Sequence, residues 1–407
     1  MKLKSLLFGS AAAMVAVTGA QAADLPIAEP VEYVRICDAF GTGFYYIPGT
    51  DTCLKVGGRV RVEMHWVDAD PPVGSNIGVT DRNFNNYTSR ARGYVRLDAR
   101  NQTDFGMLRA NLGIYQTLGP SNFGDTYTEG TTLETAFIQI SNDMGTFTFG
   151  HASSFFDYWA TYAFDTRIGT DDPTGEQTLM AYTFNVGNGV SASLSLEDSK
   201  SDGRRGGGVG LYGGNRYPDL IANIRVDQGW GSAQVMGALR EVRGAGPGAG
   251  DTELGWAIGA GAEVAVPGTG FKVGGQAGYS EGAVGYIMSG SAGYGGIIAG
   301  TVTDGGYTAA TGVSLSNAWT VRGGISADFA TNWTASISAS YGDVDNAATS
   351  GFVDFDLWGV AANVAWTPVS GFLLGVEAAY SSVDFAAGTA SADADAFGLM
   401  VRGQRTF

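Results

Sequence analysis

Charged residues, prolines, cysteines and histidines are all scarce in this chain of 407 residues. Only 16% of the residues are charged and 11 are proline, whereas 63 are glycine, a balance that favours strands and turns over helices. After residue 22 the sequence has no run of 18 apolar residues, which excludes a helix that spans a bilayer. The two histidines, His65 and His151, each stand alone and offer little for metal binding or acid–base chemistry.

What the sequence has instead is a repeated alternation of apolar and polar residues. In the clearest stretch, residues 333–341, tryptophan, alanine, isoleucine and tyrosine alternate with threonine and serine. Because successive side chains of a strand point to opposite faces, this stretch has one apolar and one polar face. Repeated around a closed sheet, apolar outside and polar inside, the pattern predicts a barrel that crosses a membrane.

Alternating segments bounded by turn residues predict sixteen strands. They lie at residues 54–64, 91–102, 105–118, 132–142, 145–152, 178–187, 189–199, 219–228, 231–242, 253–266, 271–280, 318–329, 332–342, 357–367, 371–382 and 396–407. Aromatic residues recur at both ends of several of these strands, as the headgroup girdles of a membrane barrel require.

The connections between the predicted strands alternate in length. Seven are short, such as residues 102–104 and 330–332. Eight long ones lie around residues 65–90, 119–131, 153–177, 200–218, 243–252, 281–317, 343–356 and 383–395. This alternation predicts an all-β fold, a 16-stranded antiparallel transmembrane β-barrel with short periplasmic turns and long extracellular loops. The glycine-rich segment 281–317 leaves open a further hairpin, which would raise the count to eighteen strands.

The first residues have the layout of a secretory signal peptide. Lys2 and Lys4 give a positive start, residues 6–17 are apolar, and residues 20–22 form a cleavage site with small residues. A single membrane anchor is the alternative interpretation of this segment. We therefore expect a signal peptide at 1–22, a periplasmic N-terminal segment at 23–53 and the barrel at 54–407.

The only two cysteines, Cys37 and Cys53, both fall near the N-terminus of the expected mature chain. A secreted chain meets an oxidising compartment, so we expect a disulfide between them. A metal or redox site would need further ligands or a closer cysteine pair, and the sequence provides neither.

Arginines occupy the polar, inward positions of the first three predicted strands. The set is Arg59, Arg61, Arg92, Arg96, Arg100 and Arg109. Facing lipid, an arginine at the bilayer midplane would cost about 2–4 kcal/mol, so these residues must face water. Because sequential strands are neighbours, we expect the arginines to form one basic wall at the constriction of a pore.

The third long connection, residues 153–177, is both acidic and aromatic. Its carboxylates are Asp157, Asp165, Asp171, Asp172 and Glu176, interleaved with six phenylalanine, tyrosine and tryptophan residues. A loop in water has little use for so many rings, and a solvated charged loop is the alternative. We expect the loop to fold into the barrel, with these carboxylates as candidates for an acidic side opposite the arginines.

Motifs for catalysis or cofactor binding are weak. Residues 278–282 fit the G-x-S-x-G pattern of serine hydrolases, but they lie where a strand enters a loop rather than a helix. Acidic pairs such as Asp343 and Asp345 could hold divalent ions or bridge lipopolysaccharide, although such pairs are more often simply solvated. No basic patch with interleaved aromatics suggests nucleic acid. The sequence therefore predicts no catalytic site, no cofactor and no resident metal.

The region around the two cysteines resembles a known family. Residues 30–40, PVEYVRICDAF, and residues 43–58, GFYYIPGTDTCLKVGG, closely resemble the alphaproteobacterial outer-membrane porin family. The resemblance implies a sixteen-stranded, trimeric general-diffusion porin with an inward third loop and a Cys37–Cys53 disulfide. The terminal Phe407 is similar to the assembly signal of such barrels, while Gly403 and Arg405 depart from its alternating apolar pattern.

We therefore expect an outer-membrane channel, rather than an enzyme, for the passive diffusion of small hydrophilic solutes and ions. Its expected partners are outer-membrane lipid and lipopolysaccharide, those solutes, and two further copies of the chain in a homotrimer. The alternatives are a substrate-selective channel, for sugars for example, a closed-barrel enzyme or adhesin, and a soluble secreted β protein.

Overall fold

A computed structural model describes residues 35–70, 86–119, 128–164, 169–198, 210–212, 216–245, 251–289, 293–294, 298–299, 302–387 and 393–407. The expected signal peptide, residues 1–22, and Asp165 of the third loop lie outside the described residues. Among the described residues, no helix is long and apolar enough to cross a bilayer.

Sixteen long antiparallel strands form one closed sheet. They are β1 (Cys53–Asp70), β2 (Tyr87–Thr103), β3 (Gly106–Gly119), β4 (Thr128–Asn142), β5 (Gly145–Ser153), β6 (Glu176–Gly187), β7 (Val190–Asp198), β8 (Asp219–Gln228), β9 (Gly231–Arg243), β10 (Thr252–Ala265), β11 (Phe271–Glu281), β12 (Asn317–Ala330), β13 (Trp333–Asp345), β14 (Phe355–Val369), β15 (Phe372–Phe385) and β16 (Ala394–Thr406). Each strand pairs with its neighbours in sequence, which confirms the predicted up-and-down barrel.

The sheet closes because β1 pairs with β2 on one side and with β16 on the other. Val62, for example, lies opposite Ala91 and Gly403. The C-terminal Phe407 completes the seam, since its N–H donates to the Gly58 carbonyl at 3.0 Å and its carbonyl accepts from the Gly58 N–H at 3.1 Å. Hydrocarbon cannot hydrogen-bond an open edge, so closure is what allows such a sheet to span a bilayer.

The described residues of the connection between β11 and β12 add no strand to the barrel. They include two short antiparallel strand pairs, Gly293–Tyr294 with Ile298–Ala299 and Gly305–Thr308 with Gly312–Leu315. Each forms its own two-stranded sheet, separate from the barrel. The prediction of sixteen strands is therefore confirmed over the alternative of eighteen.

Several strands run further toward the long connections than the alternation predicted. β1 extends to Asp70 rather than to residue 64, and β2 and β4 begin at Tyr87 and Thr128, four residues earlier than predicted. Beyond the lipid an outward side chain need not be apolar, so the alternation fades while backbone pairing continues.

The outward face of the barrel is apolar and ends in aromatic rings. Mid-strand side chains such as Val60 and Ile337 are about half exposed on the isolated chain, at 53% and 50%. Near the long connections, ring pairs on adjacent strands have centroids 5.4, 5.2 and 5.2 Å apart: Trp256–Tyr279, Trp319–Tyr341 and Trp358–Tyr380. Near the short turns Trp333 stacks on Trp366 at 5.8 Å. The two levels of rings fit the two headgroup regions of a bilayer.

The residues before β1 form a compact N-terminal segment, described from residue 35 to residue 52. It contains a 3₁₀ turn at Asp38–Phe40, and Tyr45–Tyr46 pairs with the start of β1. The predicted disulfide is present, and it joins Cys37 to Cys53, the first residue of β1. The cross-link therefore fixes this segment to the short-turn end of the barrel wall.

Adjacent positions on β13 test which face meets lipid. Ile337→Arg places a charge outward and should lower the free energy of unfolding by about 2–4 kcal/mol, the cost of an arginine at the bilayer midplane. Ser336→Arg, at the same depth but facing the lumen, should cost much less. Urea unfolding of the barrel in lipid vesicles measures both, and equal losses would contradict the assigned faces.

Candidate functional site

The third loop, residues 154–175 between β5 and β6, folds into the barrel and follows its inner wall. Its described residues make hydrogen bonds with every strand from β7 to β16. The path begins where the Ser154 hydroxyl donates to Glu197 of β7 at 2.7 Å. It reaches β16 where Arg402 donates to the Phe164 carbonyl at 2.6 Å. The predicted inward fold is thus confirmed.

Polar side chains of the wall satisfy the irregular backbone of this loop. The Trp159 N–H donates to Gln276 at 3.1 Å, and Arg322 Nε donates to the Trp159 carbonyl at 2.8 Å. Asn363 Nδ2 donates to the Tyr162 carbonyl, also at 2.8 Å. Buried backbone groups outside helices and sheets need such partners, so these side chains fix the course of the loop.

Inward-facing glycines of the wall make room for the rings of the third loop. Four pairs approach closely: Tyr158 at Gly261, Trp159 at Gly274, Tyr162 at Gly324 and Phe164 at Gly375. A Cβ atom on Gly274 would lie 2.2 Å from Trp159 Nε1, and one on Gly375 would lie 2.4 Å from the Phe164 ring. The loop can therefore lie flat against the wall only because these positions carry no side chain.

The sixth loop, residues 282–316 between β11 and β12, also enters the barrel. Its residues Ala283–Met288 are fully buried, and the Tyr286 ring lies 5.1 Å from the Phe156 ring of the third loop. Inward side chains of the wall, such as Ile221 and Leu357, join the same apolar cluster. An apolar core therefore fills the part of the lumen that lies between the two loops and these wall residues.

A buried charge network holds the sixth loop to the wall. Arg240 of β9 donates to Asp219 at 2.7 Å and to Asp304 of the loop at 2.9 Å, and all three side chains are fully buried. Asp304 also accepts from the Val284 N–H at 3.0 Å, and the Tyr286 hydroxyl donates to Asp219 at 2.9 Å. Buried charges are tolerated when paired in this way, so the network specifies where the loop docks.

The six predicted arginines all face the lumen, and they fall into two tiers. The upper tier surrounds the fully buried Glu63 of β1. Of the six, Arg61 belongs to this tier, with its Nη1 atom 3.8 Å from Glu63 Oε1. Two further arginines complete it: Arg90 Nε donates to Glu63 at 2.6 Å, and Arg402 Nε donates to Glu63 at 2.7 Å. Arg92, opposite Arg61 in register, donates to Thr117 at 2.8 Å.

The lower tier lies nearer the short turns, where Arg100 is opposite both Cys53 and Arg109. Arg100 and Arg109 share Asp98, at 2.7 and 3.0 Å. Arg96 pairs with Glu134 of β4 at 2.6 Å, and its side chain is 54% exposed. Arg59 joins this tier to the upper one, with its guanidinium 3.8 Å from the centre of the Tyr94 ring. The six arginines therefore line the lumen along β1–β3, beside the carboxylates Glu63, Asp98 and Glu134.

The described carboxylates of the third loop bond within the two inward loops. Asp157 accepts from the Gly175 N–H at 2.8 Å, and Asp172 accepts from the Thr174 hydroxyl at 2.7 Å. Asp171 is buried and accepts from Ser289 of the sixth loop, so it links the two loops. Glu176 is the first residue of β6 and is half-buried.

Burial shifts the titration of two groups on the third loop. Desolvation raises the pKa of the Asp171 carboxyl above its ordinary value, although its hydrogen bonds from Ser289 act in the opposite direction. Burial also raises the pKa of the Tyr162 hydroxyl, which donates to Glu263 of β10. Both groups therefore hold their protons more firmly than they would in water.

Sequence reasoning missed several residues of this site. Glu134, Arg240 and Arg402 all face the lumen, and the last two directly follow the apolar outward residues Leu239 and Val401 of alternating strands. The inward position of these two arginines could have been used to predict acidic partners in the lumen, because an inward arginine far from the first three strands still needs a partner. The docking of the sixth loop had a weaker signal in its apolar residues 284–288.

Comparison with known proteins adds a family match and two groups of relatives. The model of a family described as a porin subfamily matches residues 24–397. Porin Omp2b of Brucella abortus (strain 2308) is 37% identical over 246 residues, which are 57% of this chain and 64% of that protein. Porin Omp2b of Brucella melitensis is 36% identical over the same length. The matched region thus covers less than two thirds of these relatives.

Solved structures share the fold at low identity. The outer membrane channel DcaP of Acinetobacter baumannii has a TM-score of 0.65 and 16% identity, with 89% of this chain and 99% of that chain covered. OmpF of Salmonella typhi has a TM-score of 0.53 and 10% identity, with 88% and 98% covered. At these identities the likeness concerns the barrel fold alone.

The glycines beneath the third loop provide a test of its docking. Gly274→Ala should lower the free energy of unfolding by about 1–3 kcal/mol, because the new Cβ overlaps the Trp159 ring. Gly237→Ala is the matched control, since its Cβ would meet only the Ala257 carbonyl at 3.7 Å. Urea unfolding in lipid vesicles compares the two, and a neutral Gly274→Ala would argue against this contact.

Proposed function

The chain belongs to the porin subfamily, and on this premise we propose that it forms a water-filled channel for the passive diffusion of small hydrophilic solutes and ions. The observation that carries the proposal is the division of the lumen. The third loop bonds to β7–β16, and on the other side of the lumen β1–β4 present charged and polar side chains. Water and solutes would pass between this loop and that wall.

The constriction of the channel would have a basic and an acidic side. We assign the basic side to Arg59, Arg61, Arg92, Arg96, Arg100 and Arg109. The acidic side would come from the third loop, with Asp157, Asp165, Asp172 and Glu176 as its candidates, whereas Asp171 is buried against Ser289 and would not face the gap. Opposed charges across a narrow gap create a transverse field, which orders water and favours polar over apolar solutes.

The family match and the closed barrel place the chain in the bacterial outer membrane as a multi-pass β-barrel. We assign the short turns and the N-terminal segment, residues 23–53, to the periplasmic side, after removal of a signal peptide at 1–22. Outer-membrane lipid would contact the apolar outward face, and lipopolysaccharide the extracellular rim. The family favours a channel over an enzyme, and we propose that the barrel has no catalytic role.

We also propose a homotrimer. A structural neighbour, OmpT of Vibrio cholerae, is described in a trimer form. In this chain the outward faces of β3–β6 carry polar side chains, Gln116, Thr131, His151 and Thr178, at the end where other strands carry rings. Polar groups are poorly placed against lipid, so their position supports contact with a second subunit there.

A substrate-selective channel is the second candidate. The apolar core around Phe156 and Tyr286 occupies part of the lumen and would narrow the path. A narrowed path could select one class of solute rather than admit small solutes by size alone.

Liposome swelling separates these two functions. For a general-diffusion channel, vesicles that contain the protein should swell in sugars at rates that fall smoothly with solute mass. A selective channel should instead favour one sugar over others of equal mass. Absence of swelling in every sugar, with folded protein inserted, would contradict both.

The basic wall can be tested by ion selectivity. Replacing Arg59, Arg61 and Arg92 together by alanine should shift the reversal potential in a salt gradient toward cation preference, because three lumenal positive charges are lost. Arg216→Ala is a control on an extracellular loop, where the arginine pairs with Glu241. A reversal potential equal to that of the wild type would remove these arginines from the narrow part of the pore.

A further inference from the structure

A cavity of about 570 Å³ lies at the short-turn end of the barrel, between the N-terminal segment and β1–β3. Its charged lining consists of Lys55, Arg59, Arg96, Arg100, Arg109 and Asp98. Glu134 pairs with Arg96, so two carboxylates face five cationic groups. The cavity therefore keeps an excess of positive charge, and its size is that of a small-molecule site.

The second wall of this cavity comes from the segment that the disulfide holds in place. The Phe44 ring lies 5.0 Å from the Arg100 guanidinium and 5.8 Å from Lys55 Nζ. Lys55 Nζ also donates to the Thr42 carbonyl at 3.2 Å. The N-terminal segment thus lies over part of the lower tier of arginines, and it gives the cavity a second wall on one side while the other side stays open.

Among the described residues of this cavity, a buried donor on Arg59 has no partner. Arg59 Nε is buried and has no hydrogen-bond partner among the described residues, although its guanidinium stacks on the Tyr94 ring. An unpaired buried donor is costly, and an oxyanion is the group that best satisfies a guanidinium. The neighbouring guanidinium groups of Arg100 and Arg109 are both held in position by Asp98.

We propose that this cavity is a binding subsite for small organic anions that carry a multivalent oxyanion group, such as a phosphate ester or a dicarboxylate. The arginines would bind the oxyanion, and the rings of Phe44 and Tyr94 would contact the organic part. This inference rests on the proposed function and deepens it, because the subsite lies at the periplasmic end of the same water path. It would concentrate anionic solutes there and leave neutral ones unaffected.

Calorimetric titration of the mature protein in detergent tests the subsite, with glucose 6-phosphate as the probe and glucose as its neutral counterpart. We expect saturable binding of the phosphate ester, competition by succinate, weakening with added salt, and no binding of glucose. Replacing Arg100 and Arg109 together by glutamine should raise the Kd by about tenfold or more, since two charge-assisted contacts are lost.

Arg225→Gln is the matched control, because Arg225 lies at the same end of the barrel on the far wall, where it pairs with Asp227 at 2.8 Å. Its Kd should equal that of the wild type. The Cys37→Ser, Cys53→Ser double variant should also bind more weakly, since it releases the segment that gives the cavity its second wall. If the double arginine variant does not fold, Lys55→Gln alone should raise the Kd about threefold, the loss of one partly screened charge.

Single-channel current from the same preparations distinguishes a failure of the anion subsite from a failure of the proposed channel function. Current without saturable binding of glucose 6-phosphate, or equal affinity in the double arginine variant and in Arg225→Gln, would overturn the subsite and leave the channel intact. Absence of current would instead contradict the proposed function.

Discussion

Backbone hydrogen bonding in hydrocarbon is the constraint on which the rest of this structure depends. Lipid cannot satisfy an unpaired N–H or carbonyl group, so the sheet must close, and here β1 and β16 meet with Phe407 completing the seam. Closure fixes which side chains meet lipid and which meet the lumen. The alternation in sequence, the outward rings and the inward arginines all follow from that single division.

The loops that fold into the lumen face a different requirement. Their backbone groups need polar partners, and their rings need an apolar core. The third loop meets the first requirement through side chains from ten consecutive strands, including Gln276, Arg322 and Asn363. The sixth loop meets both, since Tyr286 packs on Phe156 while its hydroxyl donates to Asp219. The third loop bonds along β7–β16 and meets the upper tier of arginines at Arg402, whose guanidinium donates to both the Phe164 carbonyl and Glu63.

The sequence was most informative where a physical requirement acts residue by residue. Lipid contact imposes alternation, so the bounds of β8 were predicted without error and the number of strands was correct. The side of the sheet to which each side chain points was equally predictable. Arg61, for example, lies between the outward Val60 and Val62 and therefore points into the lumen. The path of the third loop was not predictable, because Trp159 meets Gly274 across more than a hundred residues of chain. The partners of Asp171 and Arg240 were missed for the same reason, since the sixth loop has no periodic pattern to mark its docking.

Single-channel recording of the wild-type protein in a planar bilayer tests the central claim most directly. If lipid surrounds the barrel and water fills the space beside the arginine wall, each insertion should add a discrete, stable step of current that is proportional to voltage. A folded, inserted barrel that conducts no ions would contradict this account, because the lumen would then be closed by the two inward loops.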